Sequence, residues 1–225
     1  MTLSMRYFLL FLLLGFGLSF FANAQSPATL PGGNQALSQL VESLNRINTF
    51  SATFVQYATD QRGARIQQSK GELKADRAGK FYWHTFEPLE QIVISDGKEV
   101  TVFDPDLEQA TVQAVNAQAQ STPAILFSGD TSKIGDLFNV ELRHIGANLR
   151  QFTLLPKTAD SLFERLKLRF SGKNVSELRI TDALGQESTM SFVQTQINLD
   201  LPDSAFALLL PEGTDVIRDV QMPGN

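Results

Sequence analysis

No cysteine occurs in the 225 residues, and the chain has only one tryptophan, two histidines and three tyrosines. The missing thiols exclude disulfide staples, thiol catalysis and thiolate metal sites, and a chain without cysteine cannot be lipidated through one. A domain of about 200 residues needs no such staples, because core burial alone can hold it. Histidine chemistry is equally sparse. His84 and His144 stand far apart, both inside strand-like runs, and His84, directly after Trp83, is expected to face the other way, toward solvent. No serine lies in a G-x-S-x-G elbow. Asp104, Asp106 and Glu108 lack the glycine and terminal glutamate of a calcium loop, so Pro105 marks a turn there. Neither a cofactor motif nor a metal motif stands out, and nothing recommends an enzyme.

Dense positive charge is also lacking. Lys70, Lys74, Arg77 and Lys80, then Arg165, Lys167 and Arg169, are scattered rather than massed, which argues against nucleic acid. The formal charge is −5, so adhesion to anionic lipid is not favoured either. Long apolar runs are absent beyond the N-terminus. There, Arg6 precedes the apolar stretch Tyr7 to Phe21 and the small-x-small triplet Ala22-Asn23-Ala24. At about 15 residues that stretch is short of the roughly 20 needed to span a bilayer. Residues 1–24 are expected to be a cleaved export signal, leaving residues 25–225 as one domain. Loss of Arg6 leaves 18 basic against 24 acidic side chains, a net of −6.

What is present is periodicity. After the Pro/Gly-rich lead-in Ser26 to Gly33, with Asn34 as N-cap, Leu37, Leu40, Val41, Leu44 and Ile47 recur at helical spacing. From Phe50 the period drops to two, and Phe50, Ala52 and Phe54 share one face. Further strands are expected at 66–73, 80–85, 91–95, 99–103 and 109–115, with turns at Glu87-Pro88, Asp96-Gly97 and Asp104-Pro105-Asp106. Phe81 with Trp83, and Val100 with Val102, give this sheet one apolar and one wet face. Thr122-Pro123 to Gly129 frames a short helix around Ala124-Ile125-Leu126-Phe127, and Thr131 to Leu137 adds another turn. Alternation resumes from Val140 to Phe192, and a last strand is placed near Phe206 to Leu210. Ten or eleven strands with two or three helices is too much sheet for a flat layer, so a mainly β (α+β) fold is expected. It would be an incomplete antiparallel barrel of about 11 strands, with short helices as a lid.

The order of these motifs resembles the outer-membrane lipoprotein carrier family, LolA. The resemblance covers essentially the whole chain after the signal. It rests on Thr53-Phe54-Val55-Gln56, Gly71-Glu72-Leu73 leading to Phe81-Tyr82-Trp83, and Ile94-Ser95-Asp96-Gly97-Lys98. It continues through Phe103-Asp104-Pro105, Glu108-Gln109-Ala110, Thr122-Pro123-Ala124-Ile125-Leu126, Leu155-Pro156-Lys157 and Pro211-Glu212-Gly213-Thr214-Asp215-Val216. It implies a monomeric periplasmic chaperone. Such a protein accepts triacylated lipoproteins from the inner-membrane Lol ABC transporter and delivers them to the outer-membrane receptor LolB. LolB shares the fold but is lipidated, and the absence of cysteine points to the soluble carrier. By the same resemblance, Leu40, Leu44, Ile47, Phe54, Phe81, Trp83, Ile125 and Leu126 would line an acyl-chain cavity. Arg77 would latch the lid by bonding backbone carbonyls. The family's Lys-Arg-Pro is Asp76-Arg77-Ala78 here, and an apolar position before Phe81 is Lys80. A lipoprotein-sensing module of the same fold is the alternative, but it would carry a second domain for which the chain has no room.

Overall fold

The computed structural model describes residues 33–115, 130–158, 161 and 163–218. The expected export signal, the lead-in before Gly33 and the helix expected at 122–129, with Ile125 and Leu126, lie outside them.

Helix α1 (Gly33–Asn45) forms as its spacing predicts, and it buries Ala36, Leu40 and Leu44 along one stripe. Asn34 sits inside its first turn rather than before it. Among the described residues twelve strands follow: β1 (Thr49–Thr59), β2 (Arg65–Asp76), β3 (Lys80–Glu87), β4 (Gln91–Asp96), β5 (Glu99–Asp104), β6 (Gln109–Ala114), β7 (Phe138–Ile145), β8 (Leu149–Pro156), β9 (Phe163–Ser171), β10 (Asn174–Asp182), β11 (Glu187–Ile197) and β12 (Asp215–Arg218). They make one sheet in the order β12-β6-β5-β4-β3-β2-β1-β11-β10-β9-β8-β7. Every pairing is antiparallel except β12 on β6, which is parallel. A one-turn 3-10 helix at Thr131–Lys133 runs into the short helix α2 (Ile134–Leu137). The Asp104 turn is a 3-10 helix (Pro105–Leu107), with the Asp104 carboxylate accepting from the Leu107 N–H.

The sheet is curled, and two arginines make the curl measurable. Arg77, just past β2, donates to the Leu44 carbonyl of α1, while Arg150 in β8 donates to the Ser43 hydroxyl of the same helix at 3.1 Å. In the sheet order β2 and β8 are five strand steps apart, roughly 24 Å if the sheet were flat. Ser43 and Leu44 are neighbours, about 3.8 Å between Cα atoms. Both sheet halves reach adjacent residues of one helix only if the sheet wraps around it.

Registry then sorts the faces. Phe54 pairs with Gly71, Leu73 with Trp83, and Ala75 with Phe81. On the other side Phe54 pairs with Phe192, Met190 with Leu178, Leu178 with Leu168, and Leu168 with Phe152. These residues point inward and, with α1, form one apolar cluster that includes Leu40, Leu44, Ile47, Phe50 and Phe54. Phe81 and Trp83 are partly buried against it. The convex face over β8 to β11 is wet. Arg169 bonds Glu177 at 3.0 Å, and Arg179 bonds Glu177 at 3.4 Å and Glu187 at 3.1 Å.

Three expectations need correction. The final strand is not at 206–210: Asp203–Phe206 is a 3-10 turn, Ala207 to Leu210 makes no ladder, and the last strand among the described residues is β12. The alternation of Phe206, Leu208 and Leu210 has a different cause. Leu208 and Leu210 lie on a second apolar cluster of Ile92, Phe103, Ala110 and Tyr82. That cluster occupies the outer face of β3 to β6, because Tyr82 pairs with Ile94 and Phe103 with both Ile92 and Ala110. This half of the sheet is therefore apolar on both faces, not greasy on one side and wet on the other. Third, His84 does point away from Trp83, yet its side chain is only 17% exposed. Its ring lies 4.6 Å from that of Phe86 and bonds the Tyr82 hydroxyl at 3.0 Å and Glu90 at 2.8 Å. An outward-facing strand residue is wet only where nothing covers it.

Candidate functional site

A helix end leaves its last carbonyls without partners, and a positive charge there is favoured. The last turn of α1 contains no basic residue. Arg77 supplies the charge from elsewhere in the chain. Its Nε donates to the Ile47 carbonyl at 3.0 Å, its Nη2 donates to the Leu44 carbonyl, and its own N–H bonds the Asn48 carbonyl at 2.9 Å. A guanidinium suits the position because its fork offers several donors in a fixed plane. Partial burial lowers its pKa from the ordinary arginine value. The Asp76 carboxylate accepts from the Ala78 N–H at 2.6 Å, so the tight turn between β2 and β3 is shaped by Asp76, without the proline of the family pattern. Asn198 completes the helix end: its Nδ2 donates to the Arg46 carbonyl at 2.9 Å and its Oδ1 accepts from the Asn48 N–H at 2.7 Å.

The opposite side of α1 is held differently. Arg150 points inward, with its guanidinium 5.8 Å from the Phe152 ring and 5.5 Å from the Phe170 ring, and it also donates to the Gly172 carbonyl at 3.2 Å. The Thr131 hydroxyl donates to Asn45 Oδ1 at 2.6 Å. Leu37 lies close over Gly135, where an added Cβ would come within 2.7 Å of Leu37 Cδ2. Sequence reading singled out Arg77 but missed Arg150, Thr131 and Asn198. Their only signal is spatial, since each meets a helix about 85 to 150 residues away.

Of the residues expected to act together, Leu40, Leu44, Ile47 and Phe54 are buried in the inner cluster and Phe81 and Trp83 lie against it. Phe54 and Trp83 are in ring contact at 5.2 Å between centroids. The concave side is therefore a wall of aliphatic and aromatic side chains under a helix pinned by two arginines. Among the described residues no group of histidines and acids is arranged to hold a metal ion, and no helix is long and apolar enough to cross a membrane.

A curled, open sheet wrapped over an apolar interior and bridged by one amphipathic helix defines a class of fold. The crystal structure of an uncharacterized conserved protein from Thermus thermophilus shares it at TM-score 0.53, covering 83% of this chain and 99% of that one at 12% identity. The family model described as outer membrane lipoprotein carrier protein LolA matches residues 45–208. An outer-membrane lipoprotein carrier protein of Pseudomonas putida (strain GB-1) is 38% identical over 198 residues, covering 88% of this chain and 95% of its own. One from Azotobacter vinelandii is 39% identical over 202 residues, covering 90% and 96%. The chain belongs to the LolA family of outer-membrane lipoprotein carrier proteins.

Proposed function

We infer that this protein is a monomeric periplasmic carrier, exported by its N-terminal signal and acting as one domain. It accepts triacylated lipoproteins released by the inner-membrane Lol ABC transporter and passes them to the outer-membrane receptor LolB. The observation that carries the reading is the single apolar cluster joining α1 to the inner face of the sheet, in a chain whose relatives are named lipoprotein carriers. The physical need is large. Each methylene exposed to water costs about 0.8 kcal/mol, so acyl chains with about forty methylenes cost on the order of 30 kcal/mol to bring into water. An interior lined by Leu40, Leu44, Ile47, Phe54, Phe81 and Trp83, with Ile125 and Leu126 from the segment after β6, replaces one apolar environment by another. Net affinity then stays modest and release remains possible.

Arg77 is the latch in this reading. Carbonyls at the end of α1 satisfied by one guanidinium hold the helix down, and displacement of that helix opens the interior. The test is to incubate the signal-free protein with spheroplasts holding a newly acylated lipoprotein. The expected result is a soluble one-to-one complex, and cargo that stays on the membrane refutes the carrier. Arg77→Leu is expected to retain cargo and lose handover to the receptor. Unchanged handover removes the latch role and leaves the carrier standing.

A further inference from the structure

Four side-chain polar atoms among the described residues are sealed from water without a hydrogen-bond partner: Trp83 Nε1, Gln91 Oε1, Arg169 Nε and Arg179 Nε. The two arginine atoms have an evident explanation. Their remaining guanidinium nitrogens bond Glu177, Glu187 and Gln151 on the convex face. Trp83 and Gln91 have none. Buried polar groups are nearly always paired, and each exception asks for a reason.

Their placement supplies one. Trp83 pairs with Val93 and Thr85 with Gln91, so Trp83 and Gln91 sit diagonally on the same inward face of adjacent strands, a spacing that long side chains bridge. One is a donor only and the other, through its oxygen, an acceptor. Phe54 lies against the indole and Val93 stands opposite Trp83, while Thr85, paired with Gln91, and Ser95, paired with Phe81, are buried polar neighbours on the same face. A ligand that satisfies both must bring one acceptor and one donor, close together, on an otherwise hydrocarbon body. A secondary amide joined to an alkyl chain does this. An ester offers an acceptor alone, and a plain hydrocarbon offers neither.

We propose that Trp83 and Gln91 form a polar anchor on the inner wall for the amide group at the head of an amide-linked acyl chain. The indole N–H donates to the amide carbonyl, and the amide N–H donates to Gln91 Oε1. The anchor rests on the carrier reading and refines it. The hydrocarbon supplies the bulk of the burial, while the anchor fixes how deep the chain sits and discriminates an amide-linked chain from hydrocarbon. Leaving the pair unsatisfied in the empty protein makes the gain on binding larger, because only the ligand completes it.

The test uses the signal-free protein and three probes presented in phosphatidylcholine vesicles: a synthetic triacylated lipopeptide, a long-chain secondary amide and the alkane of equal length. Trp83→Phe keeps an aromatic wall and removes the donor, and Gln91→Leu removes the acceptor. Each is expected to weaken binding of the amide about five- to tenfold and that of the alkane by less, because Trp83→Phe trims wall area for both probes but only the amide also loses a hydrogen bond. Because Trp83 is the sole tryptophan, the indole N–H vibration in resonance Raman spectra reports the bond directly. It is expected to move to its hydrogen-bonded position with the amide and not with the alkane. If the lipopeptide binds but neither variant alters amide affinity and the indole band stays put, the anchor is wrong and the carrier reading stands. If none of the three probes enters, the carrier reading fails and takes the anchor with it.

Discussion

Gly71 shows how one residue fixes the inner wall. It lies directly opposite Phe54 across the β1–β2 ladder, and the Phe54 ring occupies the space a side chain would take. A Cβ at Gly71 would be driven into the His84 carbonyl oxygen and to 2.6 Å from Phe54 Cζ. Both neighbours are fixed, one by the β2–β3 ladder and one by the core. Gly71→Ala is therefore expected to cost about 3 kcal/mol, the upper end for overpacking, in denaturant unfolding. Gly146→Ala is the control: its only cost is the positive φ of 69° in an open turn, about 1 kcal/mol. A Gly71→Ala protein as stable as the parent contradicts the packing described. The sequence motif Gly71-Glu72-Leu73 was visible before its reason was. Arg77 was legible as a latch candidate only through resemblance, since nothing in Asp76-Arg77-Ala78 says which carbonyls it meets.

Among the elements, the strands from Thr49 to Ala114 and from Phe138 to Ile197 follow the alternation closely, because a strand buried on one face must alternate. The element that misled is the C-terminal segment. Phe206, Leu208 and Leu210 alternate as a strand would, yet none joins a ladder, and Leu208 and Leu210 cover the outer face of β3 to β6. The same failure hid the pairing of β12, whose four exposed residues carry no periodic signal. The segment is tied down by Lys80, which bonds Asp203 at 2.6 Å. That hydrogen bond, then the lysine's charge, holds the Asp203 carboxyl below the usual aspartate range and raises Lys80 above the ordinary lysine value. With the folded pKa depressed, the Asp203 contribution is fully present above the unfolded value, about 3.9, and is lost as pH falls through the folded one. Asp96 behaves alike, held down by the N–H groups of Glu99 and Lys98. The expected outcome is that backbone amides at 206–210 exchange faster in Asp203→Asn than in the parent at neutral pH, with the β1–β2 core equally protected in both, and that this difference closes as pH falls below the unfolded aspartate value, about 3.9. Equal exchange in both proteins argues against the tie.

At the scale of the molecule, a curled sheet was foreseeable from strand count alone, and the inner residues Leu40, Leu44, Ile47, Phe54, Phe81 and Trp83 were named from periodicity and resemblance. What could not be foreseen is how the wrap is secured, because Arg77 and Arg150 act on one helix from strands five steps apart. The two ends differ in kind. At the Arg77 end α1 runs on into β1, so the chain itself holds it. On the Arg150 side two side-chain hydrogen bonds, Arg150 to Ser43 and Thr131 to Asn45, and packing on β7 and Gly135 hold it, with no covalent continuation into the sheet. Opening of the interior is accordingly expected to begin along α1 and β7.

The central claim is that acyl chains lie on the inner face of this sheet, and Trp83 reports on it directly. The signal-free protein would be loaded with a lipopeptide whose acyl chains carry nitroxide labels, and the emission of the sole tryptophan measured. Strong quenching in the soluble complex, absent in a complex with the unlabelled lipopeptide, is the predicted result. A soluble, stoichiometric complex in which Trp83 emission is untouched by the label would place the chains elsewhere and contradict the account.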